Sequence, residues 1–124
     1  MVVQNSILRK KSFAFAIRVV NLYKYLSDGK KEYVLSKQLL RSGTSIGAMV
    51  REAQNAESDK DFIHKLAISQ KECDESLYWL ELLKETDYLT LLEFESISLE
   101  GIELIKMLKS SIITSKRKQS ILPS

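Results

Sequence analysis

Apolar residues recur along this chain at helical spacing in four long runs, separated by breaks of only a few residues. In the first run Phe15, Val19, Leu22 and Leu26 follow i, i+4, i+7 and i+11, the stripe of one buried helical face. It predicts a helix over residues 6–27, stopped by Asp28-Gly29. A second helix is predicted over 31–56, with Leu35, Leu39, Ile46, Val50 and Ala53 on its apolar face. The third opens at Ser58, with Asp61 three residues on, a capping box in which Asp replaces the usual Glu or Gln. It runs to residue 85 and aligns Phe62, Leu66, Cys73, Leu77 and Leu80. Thr86-Asp87-Tyr88-Leu89 connects it to a fourth helix over 90–115, which Thr90 and Glu93 open with a regular Thr-x-x-Glu box. Helices of matched length joined by short loops predict an all-α fold, an antiparallel up-down-up-down four-helix bundle. The expected domain covers residues 1–115, and residues 116–124 read as a basic, frayed C-terminal tail.

Two of these helices carry a second apolar stripe. Phe13, Ile17 and Val20 stand well round the first helix from its core seam. In the fourth, Phe94, Ile97, Leu104, Ile105, Leu108 and Ile112 make one face, while Leu92, Leu99, Ile102 and Ile113 make another. A helix of an isolated four-helix bundle needs only one buried face. Apolar residues on opposing faces therefore predict a homo-oligomer, with Phe13, Ile17, Val20, Leu92, Leu99 and Ile102 as candidate interface residues. The alternative is a bundle with wide internal faces and a few tolerated exposed residues.

Charge sharpens the picture because it is laid down in blocks. Residues 1–56 hold 10 Lys/Arg against 3 Asp/Glu, residues 57–103 hold 4 against 13, and residues 104–124 hold 5 against none. Blocks of opposite sign predict helices or subunits that attract one another, or a molecule with one basic and one acidic surface. Arg9, Lys10, Lys11 and Arg18, with Lys116, Arg117 and Lys118, are the candidate phosphate contacts if the partner is RNA or DNA. Tyr23, Tyr25 and Tyr33 can stack on bases, although tyrosines at helical spacing more often pack.

No constellation for catalysis stands out. His64 is the only histidine, so no His-His metal pair and no H-E-x-x-H is present, and it reads as a surface residue. Cys73 is the only cysteine, excludes an intramolecular disulfide, and reads as a small buried apolar residue in a reducing, cytoplasmic setting. Gly43 and Gly47 are not a phosphate loop, since no strand precedes them and no G-K-[ST] follows. Glu72, Asp74, Glu75 and Glu81 lack the Glu-x-x-His pairs of a di-iron bundle, and Glu72 and Glu75 are expected to pair with basic residues on neighbouring helices. No apolar run approaches a membrane span, and Arg18 interrupts the one stretch that resembles a signal peptide. The chain is thus expected to be no enzyme, with no cofactor, metal or small-molecule substrate.

Residues 41–61 are the oddest local chemistry. Ser42, Gly43, Thr44, Ser45 and Gly47 each cost a helix about 0.5–1 kcal/mol relative to Ala, so close packing or recognition has to offset them. Arg41, Ser45, Ala48 and Glu52 share a line distinct from the apolar face. The same stretch carries a resemblance. Gln38-Leu39-Leu40-Arg41-Ser42, Thr44-Ser45-Ile46-Gly47-Ala48, Arg51-Glu52-Ala53, Ser58 and Asp61-Phe62 resemble the four helix bundle protein family, whose founding members are encoded by intervening sequences of bacterial large-subunit (23S) ribosomal RNA genes. The likeness spans about residues 13–108, and Met49 departs from it by standing where the family usually has Asn. It implies an antiparallel bundle, a ring-forming homopentamer, and an ionic cluster of Arg41, Arg51, Glu52 and Glu75 between helices. A related bundle, the accessory protein of diversity-generating retroelements, suggests by analogy a nucleic-acid-binding role.

Overall fold

Each break in the apolar pattern becomes a corner of the molecule. The computed structural model describes residues 2–121, in four helices: α1 (Val2–Lys24), α2 (Leu35–Gln54), α3 (Asp59–Glu85) and α4 (Leu91–Ile121). Cross-helix contacts give the directions. Lys11 meets Glu103 while Arg18 meets Ser96 and Glu100, so α4 runs down as α1 runs up. Ser42 bonds Ser76 while Glu52 pairs with Lys65, which makes α2 and α3 antiparallel. Gln54 donates to the Asn5 carbonyl near the start of α1, and Cys73 on α3 reaches the Gly101 carbonyl on α4. Each helix packs on its sequence neighbours, and α4 closes back on α1. This is the expected up-down-up-down bundle.

The core is the first stripe of each helix. Phe15, Val19, Leu26, Leu39, Ile46, Val50, Leu80, Leu83 and Leu108 are wholly buried, each side chain gaining about 1.5–3 kcal/mol from leaving water. Four of the five apolar-face residues read from α2 are buried, and Leu35 packs at the margin of the cluster.

The helix ends differ from the sequence reading in instructive ways. α1 begins at Val2, earlier than residue 6, and passes at its C-terminus into a π-helical turn over Tyr25–Gly29. Gly29 does not take the left-handed conformation that a C-terminal glycine often supplies; Lys31 does, with φ 58°. α2 then starts at Leu35 rather than 31, because the buried Glu32 folds its carboxylate over the helix start. Glu32 accepts from the N–H groups of Val34, Leu35 and Ser36 at 2.7–3.0 Å, satisfying three donors that a helix start leaves open. Its burial alone would raise its pKa, but the hydrogen bonds from Leu35, Ser36 and Val34 outweigh that and hold the carboxyl below its usual range. At α3 the Ser58 hydroxyl accepts from the Asp61 N–H, and at α4 both bonds of the Thr90–Glu93 box form. α4 continues through Lys116, Arg117 and Lys118 to Ile121, and residues 122–124 of the segment expected to fray lie outside the described residues. Basic side chains in a last turn face the negative end of the helix dipole, which favours that continuation.

Candidate interaction surfaces

The small residues of α2 sit where neighbouring helices approach closely. A Cβ placed on Gly43 would lie 2.8 Å from both γ-methyls of Val19 on α1, and one on Gly47 would lie 3.4 Å from the Ser12 carbonyl oxygen. Ser42 and Ser76 share a buried hydroxyl–hydroxyl bond of 2.9 Å, and the Ser69 hydroxyl donates to the Ile46 carbonyl at 2.9 Å. The stretch thus joins α2 to α1 through glycine and to α3 through serine. No buried side-chain nitrogen or oxygen among the described residues lacks a partner.

The Arg41 line faces α3 of the same chain. Arg41 forks across two carboxylates, bonding Glu75 and, at 2.8 Å, Glu72, and the Trp79 indole N–H donates to Glu75 at 3.0 Å. The Trp79 hydrogen bond first, then Arg41, holds the Glu75 carboxyl below its usual range, and the same pairing raises the Arg41 pKa. The four-residue cluster implied by the resemblance does not form as one unit. Arg41 and Glu75 meet, but Glu52 pairs with Lys65 at 3.1 Å and Arg51 lies over the Phe13 ring at 5.2 Å. Along α2 Glu52 stands about three turns beyond Arg41, and Arg51, its neighbour in sequence, points about 100° round the helix, which is why they reach separate partners. Met49 is half-buried.

The basic residues divide into engaged and unengaged ones. Arg18 bonds Glu100 and Ser96, Lys11 pairs with Glu103 at 2.7 Å, and Arg9 donates to Gln54 at 3.1 Å. Lys10, Lys116, Arg117 and Lys118 are exposed and make no ion pair among the described residues. The partners Ser96, Glu100 and Glu103 were not singled out from sequence. Their signal is a matched spacing: Lys11 and Arg18 are seven apart, as are Ser96 and Glu103, the repeat of two helices crossing at a shallow angle.

The second stripes remain open to solvent. On α1, Phe13 is 53% and Ile17 48% exposed, and Val20 is half-buried. On α4, Leu92 is 81% and Leu99 65% exposed, with Ile102 and Ile113 also exposed. Between the two stripes runs the seam of Lys11–Glu103 and Arg18–Glu100 ion pairs. Where that seam ends, a groove of about 520 Å³ opens between α1 and α4, with Leu22, Tyr25, Leu89, Leu92 and Ile97 among its lining.

His64 is exposed on α3. Cys73 is buried, and burial, with the neighbouring Asp74 charge, pushes its thiol up to about 12, far from a nucleophile's range. Among the described residues no group of three His, Cys, Asp or Glu side chains is placed to hold a metal ion, and no helix is long and apolar enough to cross a membrane.

The close packing at Gly43 and the Arg41–Glu72–Glu75 ion pairs fall on motif residues noted in the sequence, and comparison with known proteins agrees. The chain is similar to a crystallised protein of unknown function of the S23 ribosomal protein family from Bacteroides thetaiotaomicron, with 52% identity and a TM-score of 0.87 over 88% of this chain and 97% of that one. No curated protein of assigned role matches it significantly. A family model for 23S rRNA-intervening sequence proteins matches residues 4–110, so the chain belongs to the 23S rRNA-intervening sequence protein family.

Proposed function

We propose that this protein is a non-catalytic, self-associating bundle that serves as an interaction scaffold in the cytoplasm. One observation carries the reading: Phe13, Ile17, Leu92 and Leu99 leave large apolar surfaces in water on a bundle whose core is already complete without them. Such surface is worth covering at about 25 cal/mol per Å² of apolar area removed from water. A second copy is the simplest cover, and the family resemblance favours a homopentamer. The assay is sedimentation with light scattering at micromolar concentration. A discrete oligomer is expected; a single species at the 14.2 kDa protomer mass refutes the proposal.

Nucleic-acid binding is the second reading, favoured by Lys10, Lys116, Arg117 and Lys118, which are exposed and make no ion pair among the described residues. Oligomerisation would multiply these charges and raise avidity with no new contact per protomer. The test is a salt titration of binding to structured RNA and duplex DNA. The expected result is an affinity that falls steeply with salt and weakens when residues 116–118 become Ala. Binding that ignores both changes excludes this reading.

A further inference from the structure

The two exposed stripes differ in charge as well as position, and the difference carries a specific pairing. Residues 1–51 contain ten Lys/Arg and only two acidic residues, Asp28 and Glu32, both in the α1–α2 connection. The outer surface of α1 and α2 around Phe13 and Ile17 is therefore rimmed by Lys10, Lys24 and Arg51 with no carboxylate of either helix before Glu52. The other surface is the reverse. From Asp74 to Glu103 the chain has nine acidic residues and one Lys, and Glu95 lies among Leu92, Leu99 and Ile102, exposed and without an ion pair among the described residues. Lys11 and Arg18 mark the side of α1 that meets α4, and Phe13, Ile17 and Val20 turn away from it. Ser96, Glu100 and Glu103 mark the side of α4 that meets α1, and Leu99 and Ile102 turn progressively away towards α3. The stripes thus diverge across the ion-paired seam.

Because the stripes diverge, a two-fold dimer that sets one of them against its own copy leaves the other wet. A head-to-tail contact covers both with one kind of interface and sets Lys or Arg opposite Glu. We propose that the Phe13–Ile17 face of α1 and α2 docks on the Leu92–Leu99–Ile102 face of α4 in a second copy of this chain, with Lys10, Lys24 and Arg51 complementing Glu95 and its acidic surroundings. This rests on the self-association proposed above and specifies its polarity. Apolar anchors at the centre supply affinity, and the charged rim sets register and rejects like-with-like docking.

The experiment uses two full-length variants, Phe13→Glu/Ile17→Glu and Leu92→Lys/Leu99→Lys, all at exposed positions. Circular dichroism checks that each still folds. Each variant alone loses one half of the contact and should sediment as a monomer, its dissociation constant raised at least tenfold. An equimolar mixture retains one intact pair of faces and should form a species of twice the 14.2 kDa protomer mass that grows no further. A mixture that stays monomeric, or a Leu92→Lys/Leu99→Lys variant that keeps the wild-type assembly, overturns the pairing. A wild-type chain that is itself monomeric overturns the underlying self-association instead. If a double variant does not fold, Glu95→Lys and Lys24→Glu replace it: each alone should weaken assembly, and the two combined in one chain, which set Lys opposite Glu again at every contact, should restore it. Failure of that rescue also counts against the pairing.

Discussion

Gly43→Ala places one methyl group where α2 packs closely on Val19 of α1. On helix propensity alone the change stabilises, by about 0.8–1 kcal/mol. The structure reverses the sign. The new Cβ would lie 2.8 Å from both γ-carbons of Val19 and 3.2 Å from its Cβ, distances that force something to move. Val19 is wholly buried and β-branched, so no rotamer takes both methyl groups out of the way. Overpacking of this kind costs about 1–3 kcal/mol, and with both γ-methyls of Val19 in the way the cost belongs in the upper part of that range, leaving a net loss of about 1–2 kcal/mol. The neighbouring glycines are controls. At Gly47 the nearest atoms are at 3.4 Å, ordinary contact, so Gly47→Ala should be neutral or slightly stabilising. At Gly101 the close atom is the end of the flexible Leu77 side chain, which can swing, so the cost should be smaller than at Gly43. The assay is urea unfolding at one fixed protomer concentration, comparing midpoints at constant m. Val19→Ala in the Gly43→Ala background should recover part of the loss, giving a coupling energy of about 0.5 kcal/mol or more. A Gly43→Ala protein as stable as wild type, or additive effects with Val19→Ala, refutes the reasoning.

Three further outcomes are expected. Glu32→Ala removes the acceptor for three N–H groups at the start of α2 and should destabilise by about 1–2 kcal/mol; because the folded-state pKa is lowered, that contribution is present above the usual carboxylate range and is lost as pH falls through the folded value, so the difference between variant and wild type in urea midpoint should shrink in acid. Trp79 is the only tryptophan and bonds Glu75, so its fluorescence should titrate below the usual carboxylate range, and Arg41→Ala should move that titration upward; an unchanged midpoint contradicts the Arg41–Glu75 coupling. The Cys73 thiol, pushed up to about 12 by burial, should resist alkylation at pH 8 in the folded protein and react only as fast as the bundle opens, which timed mass spectrometry with increasing urea will follow.

Much of the bundle was legible in the sequence because helix faces are periodic. Phe15, Val19 and Leu26 bury, Phe13 and Ile17 do not, and the spacing alone separated them. Thr90 and Glu93 marked the start of α4 because a capping box is a local interaction between neighbours in sequence. What spacing could not show depends on partners far along the chain. Gly43 needed Val19, and the assignment of Glu52 to Lys65 rather than to Arg41 depends on how two antiparallel helices are staggered. The start of α2 departs from the periodic pattern for a related reason. Residues 31–34 fit a helical pattern, but Lys31 turns left-handed and Glu32 competes for the backbone donors that a longer helix would have used.

The π-helical turn at Tyr25–Gly29 bears on how this chain tolerates changes in length. A turn closed by i to i+5 bonds holds one residue more than an α-helical turn, as the Lys30 N–H to Tyr25 carbonyl bond does here at 3.3 Å. That extra residue rotates everything after it by about 100° relative to the α1 seam, and it lets Leu26 and Ser27 both turn inward in succession. The helix thereby leaves the bundle axis without a proline or a left-handed glycine. A chain one residue shorter at this corner could close the same turn with ordinary α-helical bonds, so the end of α1 is a hinge of register at which insertions and deletions are absorbed before they reach the α2 packing face.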